Sequence, residues 1–285
     1  MEKEDVGVLT LPGVGLGTMR MDGDKCRKVV GAALAEGYRH LDTARSYGNE
    51  AAVGQALEES SARREDVVLV TKVPPTLLAA DDVRETAEES LRRLRTEYVD
   101  ILLVHWPSRS VPIEEALGAM AELRERGLAR TIGVANFPTA LLSQAMGIID
   151  GLVTNQVEYH PYLSQRLVLE QLRSAGMVLT AYCPLGRQVL LDDPVLRVIA
   201  DDHGRTTAQI ALRWLVQQDR VIAIPGTTTV LRLRENLDAL DGPHLTDDEM
   251  ARISDLARGG RVVNPPEKAP VWDPDPDADQ GASGD

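Results

Sequence analysis

The sequence of 285 residues contains only two cysteines, Cys26 and Cys183, and they lie far apart along the chain. Two distant cysteines do not form the dense disulfide framework of a small secreted domain, so a reduced, cytoplasmic setting is expected. The five histidines show neither HExxH spacing nor a CxxC neighbour, which are the patterns typical of zinc sites. We therefore expect no disulfide and no metal site.

Long apolar runs and an excess of positive charge are also missing. No segment approaches the roughly 20 apolar residues that a membrane-spanning helix needs, and the first residues are acidic rather than signal-like. The formal net charge is -13, whereas nucleic acids and anionic membranes bind to basic faces. We expect neither a nucleic-acid nor a membrane partner.

Aromatic residues make up only 4% of the chain, so its core must consist mainly of Val, Leu, Ile and Ala. The hydrophobic fraction of 43% is that of an ordinary globular protein. Composition changes only at the end, where "DPDPDADQGASGD" is polar, acidic and rich in Pro and Gly. These features predict a single domain over residues 1–272 and a flexible acidic tail over residues 273–285.

Short, nearly continuous apolar runs recur along the chain, as is typical of parallel strands that are buried on both faces. The eight runs cover residues 14–18, 38–42, 67–72, 99–106, 131–137, 152–159, 177–183 and 220–226. Helical patterns lie between them. One begins with Pro112 and ends with Gly127, and another begins with the capping-box pair Thr246 and Glu249.

Eight β-then-α units without a linker predict an α/β protein with a closed (β/α)8 TIM barrel. An open doubly wound sheet is the alternative, because a count of eight strands does not exclude it. That alternative lacks its dinucleotide fingerprint, since Gly13, Gly15 and Gly17 are followed by Thr18 and GxGxxG is not completed. The segment "VGVLTLPGV" before the first unit predicts a hairpin that closes the barrel floor.

Polar residues stand where several predicted strands end, which is the end at which TIM barrels form their active sites. They are Asp42, Lys72, His105, Trp106, Asn136, Gln156 and Tyr182, and Tyr47 lies in the loop after the second strand. Each alone has an ordinary explanation in capping, solvation or packing. Together they would bring an acid, an amine, a phenol and an imidazole to one mouth.

This set of side chains suits the reduction of a carbonyl group. A phenol with a pKa of about 10 is a poor proton donor at neutral pH, and a nearby ammonium such as that of Lys72 lowers its pKa. Asp42 could hold Lys72, and His105 could hydrogen-bond a carbonyl oxygen. The hydride must then come from a cofactor. A Schiff-base aldolase that uses Lys72 stays open as another interpretation.

Eight motifs occur in the order and at the spacing found in the aldo-keto reductases. They are "LGTMR", "GYRHLDTARSYGNE", "LVTK", "VDILLVHWP", "GVANF", "NQVEYHPYL", "YCPLG" and "IPGTTTVLRLREN". From about Val8 to Asn264 the chain resembles this family, and its ending is similar to that of the prokaryotic 2,5-diketo-gluconate reductases. The resemblance implies a monomeric enzyme that reduces aldehydes or reactive ketones, such as dicarbonyls and keto-sugar acids, with NADPH.

The resemblance also implies a role for each site residue. Tyr47 would be the general acid, Lys72 and Asp42 would lower its pKa, and His105 would orient the carbonyl. Substrate would contact Met19, Tyr47, His105 and Trp106. Cofactor would contact Gly17, Thr18, Met19, Asp42, Asn136, Gln156, Tyr182, Pro184, Leu185, Gly186, Gly226, Thr227, Thr228, Thr229, Arg232, Glu235 and Asn236. Within that set, Tyr182 would stack on the nicotinamide ring, and Asn136 and Gln156 would bind its carboxamide.

Two positions depart from the family pattern. Gly226 replaces a Lys that in many relatives pairs with the 2'-phosphate of NADPH, a contact of about 1.5–3 kcal/mol. Arg232 and the hydroxyls of residues 227–229 remain, which favours NADPH and leaves NADH or dual use open. Met19 replaces a Trp found in many relatives, so the pocket wall is expected to be more adaptable.

Two other classes of protein are alternatives to this assignment. A cofactor-binding accessory protein, like the potassium-channel β subunits that share this fold, would bind nucleotide tightly without turnover. A short-chain dehydrogenase is excluded, because none of the six tyrosines is followed by Lys four residues later.

Overall fold

The computed structural model describes residues 3–242, 244–274 and 276. Eight parallel strands follow one another in the sheet in the order of the chain. They are β3 (Leu16–Gly17), β4 (His40–Asp42), β5 (Val68–Val73), β6 (Val99–Val104), β7 (Ala129–Ala135), β8 (Leu152–Glu158), β9 (Val178–Tyr182) and β10 (Val221–Ala223). Sequential neighbours in a parallel sheet are the arrangement that repeated β/α units produce.

The first and last strands of the sheet meet and close it into a barrel. Val14 bridges Ala223 and Gly17 bridges Gly226, both in parallel pairing. Gly17 is needed there, because a Cβ at this position would lie 2.8 Å from the carbonyl oxygen of Ile224. The predicted (β/α)8 barrel is therefore confirmed, and the open doubly wound sheet is excluded.

The predicted floor hairpin is also confirmed. It consists of β1 (Lys3–Val6) and β2 (Leu9–Pro12), which pair antiparallel. Its buried residues Val6, Leu9 and Leu11 form one cluster with side chains that fill the barrel from inside. Those side chains belong to Val68, Val70, Ile101, Leu103, Ala135, Val153, Val178 and Ile222. Burial of these apolar side chains seals the end of the barrel opposite the strand ends that carry polar residues.

The helices cover the barrel from outside through their apolar faces. They are α1 (Gly23–Ala35), α2 (Glu50–Glu59), α3 (Ala80–Leu94), α4 (Ile113–Glu125), α5 (Thr139–Ile148), α6 (Arg166–Ser174), α7 (Pro194–His203), α8 (Thr207–Val216), α9 (Val230–Asp238) and α10 (Asp247–Ser254). The capping box that the sequence predicts at the start of α10 is present. Among the described residues, no helix is long and apolar enough to span a bilayer.

Residues 258–273, here named the C-terminal strap, follow α10 without forming a helix or strand. The strap ends at Asp273, whose carboxylate accepts hydrogen bonds from the backbone N–H of Thr139 at 2.8 Å and from its hydroxyl at 2.6 Å. Asp273 is also the first residue of the predicted flexible tail. Most of that tail, residue 275 and residues 277–285, lies outside the described residues.

A histidine is buried inside the barrel without a hydrogen-bond partner. His40 of β4 is 1% exposed, and neither of its ring nitrogens has a partner in the described part of the chain. Its ring packs so closely on Gly15 that a Cβ there would lie 2.7 Å away. Burial lowers the pKa of His40 to about 4, an effect that the charge of Asp42 partly opposes.

This histidine is expected to make the protein sensitive to acid. An unfolded histidine binds a proton below about pH 6.5, whereas folded His40 stays neutral until about pH 4. The free energy of unfolding should therefore fall by about 3 kcal/mol as the pH drops through this window. Urea unfolding at pH 7 and pH 4.5 should show a smaller difference for His40→Leu than for wild type. His244 is exposed, so the control variant His244→Asn should keep the wild-type difference. An equal difference for His40→Leu and wild type would contradict a role of His40 in acid sensitivity.

Candidate active site

A cavity of about 820 Å³ lies at the carboxyl ends of the barrel strands. Its volume is within the range of pockets that bind small molecules and cofactors. The predicted site residues that line it are Gly17, Met19, Asp42, Tyr47, His105, Trp106, Asn136, Gln156, Tyr182, Pro184, Leu185, Gly226, Thr227, Arg232, Glu235 and Asn236. The fold thus brings most of the predicted residues to one place.

Five predicted residues do not line this cavity. They are Thr18, Lys72, Gly186, Thr228 and Thr229. Thr18 is fully buried, and its hydroxyl donates to the carbonyl oxygen of Asp42 at 3.0 Å, so it holds a strand end in place. Lys72 is fully buried and is bonded to Asp42, which itself lines the cavity.

Asp42 and Lys72 form a buried ion pair on neighbouring strands. The Lys72 ammonium donates to one carboxylate oxygen of Asp42 at 2.5 Å and to the carbonyl oxygen of Thr43 at 2.8 Å. The amide of Gln156 donates to the other Asp42 oxygen at 2.7 Å. Burial lowers the pKa of Lys72, while the adjacent carboxylate of Asp42 opposes that shift. Both charges are therefore held in fixed geometry with hydrogen bonds that offset part of their desolvation.

Tyr47 lies beside this pair. It ends a short 3₁₀ turn, Arg45–Tyr47, that follows β4, and Gly48 continues the chain with a φ of 70°. The Lys72 nitrogen lies 5.2 Å from the centroid of the Tyr47 ring. The same ring meets the His105 ring edge to face at 5.6 Å between centroids. The phenol, the ammonium and the imidazole therefore share one corner of the cavity.

The pKa of Tyr47 differs from the sequence expectation. Burial, followed by the charge of Asp42, raises its pKa well above 10, so the depression expected from Lys72 is not found. The physical reason is that burial and the negative charge of Asp42 both disfavour the phenolate. Tyr47 is accordingly protonated throughout the neutral pH range, which is the state that a proton donor requires.

His105 is held as a neutral imidazole. Burial, then the charges of Lys72 and Lys268, lowers its pKa well below 6.5. The Ser46 hydroxyl lies 3.3 Å from its Nδ1 atom, and the amide of Asn136 donates to its carbonyl oxygen at 2.9 Å. A neutral imidazole keeps one N–H, which can donate to a carbonyl oxygen. Ser46 was not predicted, although it directly precedes Tyr47.

Asn136 and Tyr182 form a second fixed unit at the mouth. The Tyr182 hydroxyl donates to the Asn136 amide oxygen at 2.7 Å. Burial raises the pKa of Tyr182 well above 10, so this hydroxyl keeps its proton. Asn136 adopts a φ of 65°, a left-handed conformation in which Asn is enriched. The hydrogen bond fixes the Tyr182 ring as a flat wall of the cavity.

Sequence reasoning missed further lining residues. They are Arg20, Ser46, Cys183, Arg187, Gln188, Leu191, Thr206, Thr207, Ala208, Ile224, Pro225, Val262, Val263, Asn264, Pro265 and Lys268. Adjacency to predicted residues could have pointed to several, including Arg20 beside Met19. The strap residues had no such signal, because the strap has no periodic pattern and reaches the mouth only through tertiary contacts.

Comparison with known proteins agrees with this geometry. The model of the Aldo/keto reductase family matches residues 13–258. Methylglyoxal reductase DkgB of Salmonella typhimurium is 39% identical over 269 residues, which cover 93% of this chain and 100% of that protein. An aldo-keto reductase of Mycolicibacterium vanbaalenii is 38% identical over 260 residues, which cover 90% and 92% of the two chains.

Solved structures give the same result. The crystal structure of a protein assigned as 2,5-diketo-D-gluconic acid reductase B superposes with a TM-score of 0.94 at 45% identity and covers 96% of this chain and 98% of that one. The aldose reductase of Schistosoma japonicum gives a TM-score of 0.84 at 31% identity, with 90% and 92% covered.

The fold and the site define a TIM-barrel oxidoreductase. The chain belongs to the aldo/keto reductase family. It is an enzyme that reduces carbonyl groups of small molecules, and this family uses the nicotinamide cofactors NAD(P)H.

Proposed function

We propose that this enzyme reduces aldehydes or reactive ketones to alcohols with NADPH, and that Tyr47 is the general acid. The observation that carries the proposal is the buried Asp42–Lys72 pair, with Lys72 5.2 Å from the Tyr47 ring and His105 edge to face on that ring. The arrangement puts two hydrogen-bond donors, a phenol and an imidazole, beside the same space.

The proposed steps follow from these side chains. Tyr47 and His105 donate hydrogen bonds to the substrate carbonyl oxygen and so place the carbonyl carbon. A bound nicotinamide supplies the hydride. Tyr47 then transfers its proton to the developing alkoxide, which is a stronger base than a phenolate, so a high phenol pKa does not prevent the transfer. The Lys72 ammonium stabilises the phenolate that forms, and Asp42 keeps Lys72 charged and in place.

The lining of the cavity supports the binding of an extended dinucleotide. Asn136, Gln156 and Tyr182 line it at the strand ends next to Tyr47, and Arg232 and Asn236 of α9 line it as well. These residues offer amide groups and an aromatic wall for a nicotinamide and a cation for a 2'-phosphate. The Arg232 guanidinium has no carboxylate partner in residues 3–242, 244–274 and 276, so it is free to bind an anion. This supports NADPH over NADH.

Removing this cation should weaken NADPH binding selectively. We expect Arg232→Gln to raise the KM for NADPH by about tenfold or more and to leave the KM for NADH nearly unchanged, because only NADPH carries the 2'-phosphate. Arg234→Gln is the matched control, since Arg234 is exposed on the same helix and does not line the cavity. Equal loss with both cofactors would contradict a 2'-phosphate contact.

Small dicarbonyls and keto-sugar acids are the proposed substrates. One relative is named a methylglyoxal reductase, and one structural neighbour is assigned as a 2,5-diketo-D-gluconic acid reductase. Met19 is 51% exposed at the cavity, which is consistent with an adaptable wall that accepts different small carbonyl compounds. A monomeric state and a cytoplasmic location stay predictions.

Initial rates of NADPH and NADH oxidation, measured in parallel with methylglyoxal and an aromatic aldehyde, test the function. Turnover that favours NADPH is the expected result, and turnover that favours NADH would overturn the cofactor choice alone. Nucleotide binding without any turnover would favour the accessory-protein interpretation. The aldolase interpretation has little support, because Lys72 is 0% exposed and donates to Asp42 and to the Thr43 carbonyl oxygen.

A further inference from the structure

Lys268 of the C-terminal strap is a cation at the substrate end of the cavity. It is half-buried, lines the cavity, and its ammonium lies 5.5 Å from the centroid of the Trp106 ring. Its charge also contributes to the low pKa of His105, after burial and Lys72. Lys268 therefore lines the same part of the cavity as Trp106, which directly follows His105.

The backbone that carries Lys268 is held in a fixed turn. The backbone N–H groups of Lys268 and Ala269 donate to the carbonyl oxygen of Pro265 at 3.2 and 2.8 Å. The guanidinium of Arg109 donates to the carbonyl oxygens of Pro266 and Ala269 at 2.8 and 2.9 Å. Arg109, in the loop after β6, thus binds the backbone of the turn on both sides of Lys268.

A buried carboxylate fixes the strap before this turn. Glu158, at the end of β8, is fully buried, and its two carboxylate oxygens accept from the backbone N–H groups of Val262 at 2.6 Å and Val263 at 2.8 Å. Beyond the turn, the Trp272 ring meets the Trp106 ring edge to face at 6.1 Å. These contacts hold the strap in place as part of the cavity wall, so the position of Lys268 in that wall is fixed.

The other cations in or beside the cavity serve different positions, and Arg232 is the one proposed above to bind the 2'-phosphate of NADPH. Lys72 is neutralised by Asp42. Arg187 and Arg20 act on the Cys183 thiol, where they oppose the rise in pKa that burial and Glu158 cause. Within the described residues, the Lys268 ammonium has no carboxylate partner in an ion pair. A half-buried ammonium without a counterion is more stable when an anion is bound beside it.

On the basis of the proposed function, we propose that Lys268 binds a carboxylate of the substrate while the substrate carbonyl lies at Tyr47 and His105. Lys268 then determines specificity, and carbonyl compounds that carry a carboxylate are preferred over neutral ones of the same size. A local cation is needed for this preference, because the chain as a whole has a net charge of -13 and repels anions.

The test compares substrates that differ in charge and share one reacting aldehyde. They are 3- and 4-carboxybenzaldehyde, each paired with its methyl ester. For each pair we expect the ratio of kcat/KM, acid over ester, to fall by about tenfold in Lys268→Met, mainly through the KM of the acid. Lys268→Arg keeps the charge and should restore most of the ratio. Lys25→Met, at an exposed lysine of α1 that does not line the cavity, should keep the wild-type ratio.

The outcomes separate this proposal from the one on which it rests. Equal ratios for both pairs in wild type and Lys268→Met, with turnover retained, would overturn the carboxylate site and leave the reductase function intact. Absence of turnover with all four aldehydes in wild type, despite NADPH binding, would overturn the reductase function and this proposal with it. A rise in the KM of the acid with added salt, absent for the ester, would support the charge contact.

Discussion

Replacing Tyr47 by Phe is expected to lower kcat for carbonyl reduction by about 10²- to 10⁴-fold, the usual contribution of a positioned general acid. The Kd of NADPH should stay within about twofold of wild type, because the change removes one oxygen and keeps the ring that packs on His105. Single-turnover kinetics with methylglyoxal and cofactor titration by fluorescence measure the two quantities separately.

Tyr159→Phe is the matched control for this variant. Its hydroxyl donates to the side-chain carbonyl oxygen of Gln218 at 2.7 Å, and Tyr159 does not line the site cavity. Loss of this distant hydroxyl should leave kcat near that of wild type. Retained turnover in Tyr47→Phe would show that Tyr47 is not the proton donor and would favour His105 for that role.

Replacing Lys72 by Met is expected to have two large effects. The free energy of unfolding should fall by about 3–5 kcal/mol, because Asp42 is 2% exposed and would be left as an uncompensated buried charge. Carbonyl reduction should be lost as well, because no ammonium remains to stabilise the phenolate of Tyr47. Urea unfolding at pH 7 and initial rates with saturating NADPH measure these effects.

The double variant Asp42→Asn with Lys72→Met separates stability from catalysis. Removing both charges takes away the unpaired carboxylate, so the double variant should be more stable than Lys72→Met alone. Its activity should stay as low as that of the single variant. Recovery of activity together with stability would mean that Lys72 acts only through the fold and has no part in proton transfer.

The barrel and most of the corner that holds Asp42, Tyr47, Lys72 and His105 could be predicted from local sequence. Continuous apolar runs indicated buried parallel strands, and a polar residue at a strand end stood out against them, as Asp42 and Lys72 do. Because parallel strands share one direction, their polar ends had to meet at one mouth. The positions of strand ends in sequence therefore determined which side chains come together.

Three features were decided by the tertiary structure alone. The direction of the Tyr47 pKa shift depends on burial in the folded chain and on the charge of Asp42 beside it, which no local pattern reports. The His40 ring packs against Gly15 on the neighbouring segment of the barrel, and its two nitrogens have no partner among the described residues. The strap depends on contacts from Glu158 and Arg109, which precede it by about a hundred residues or more.

The sequence by itself thus determined the fold, the family and the grouping of Asp42, Tyr47, Lys72 and His105. Each of these four residues lies within or next to a predicted strand, and the order of the strands along the chain fixes their places in the barrel. Only the tertiary structure decided the charge environment of those groups and the placement of Lys268. Burial and long-range hydrogen bonds act between residues that are distant in sequence, so their effects arise only when the chain has folded.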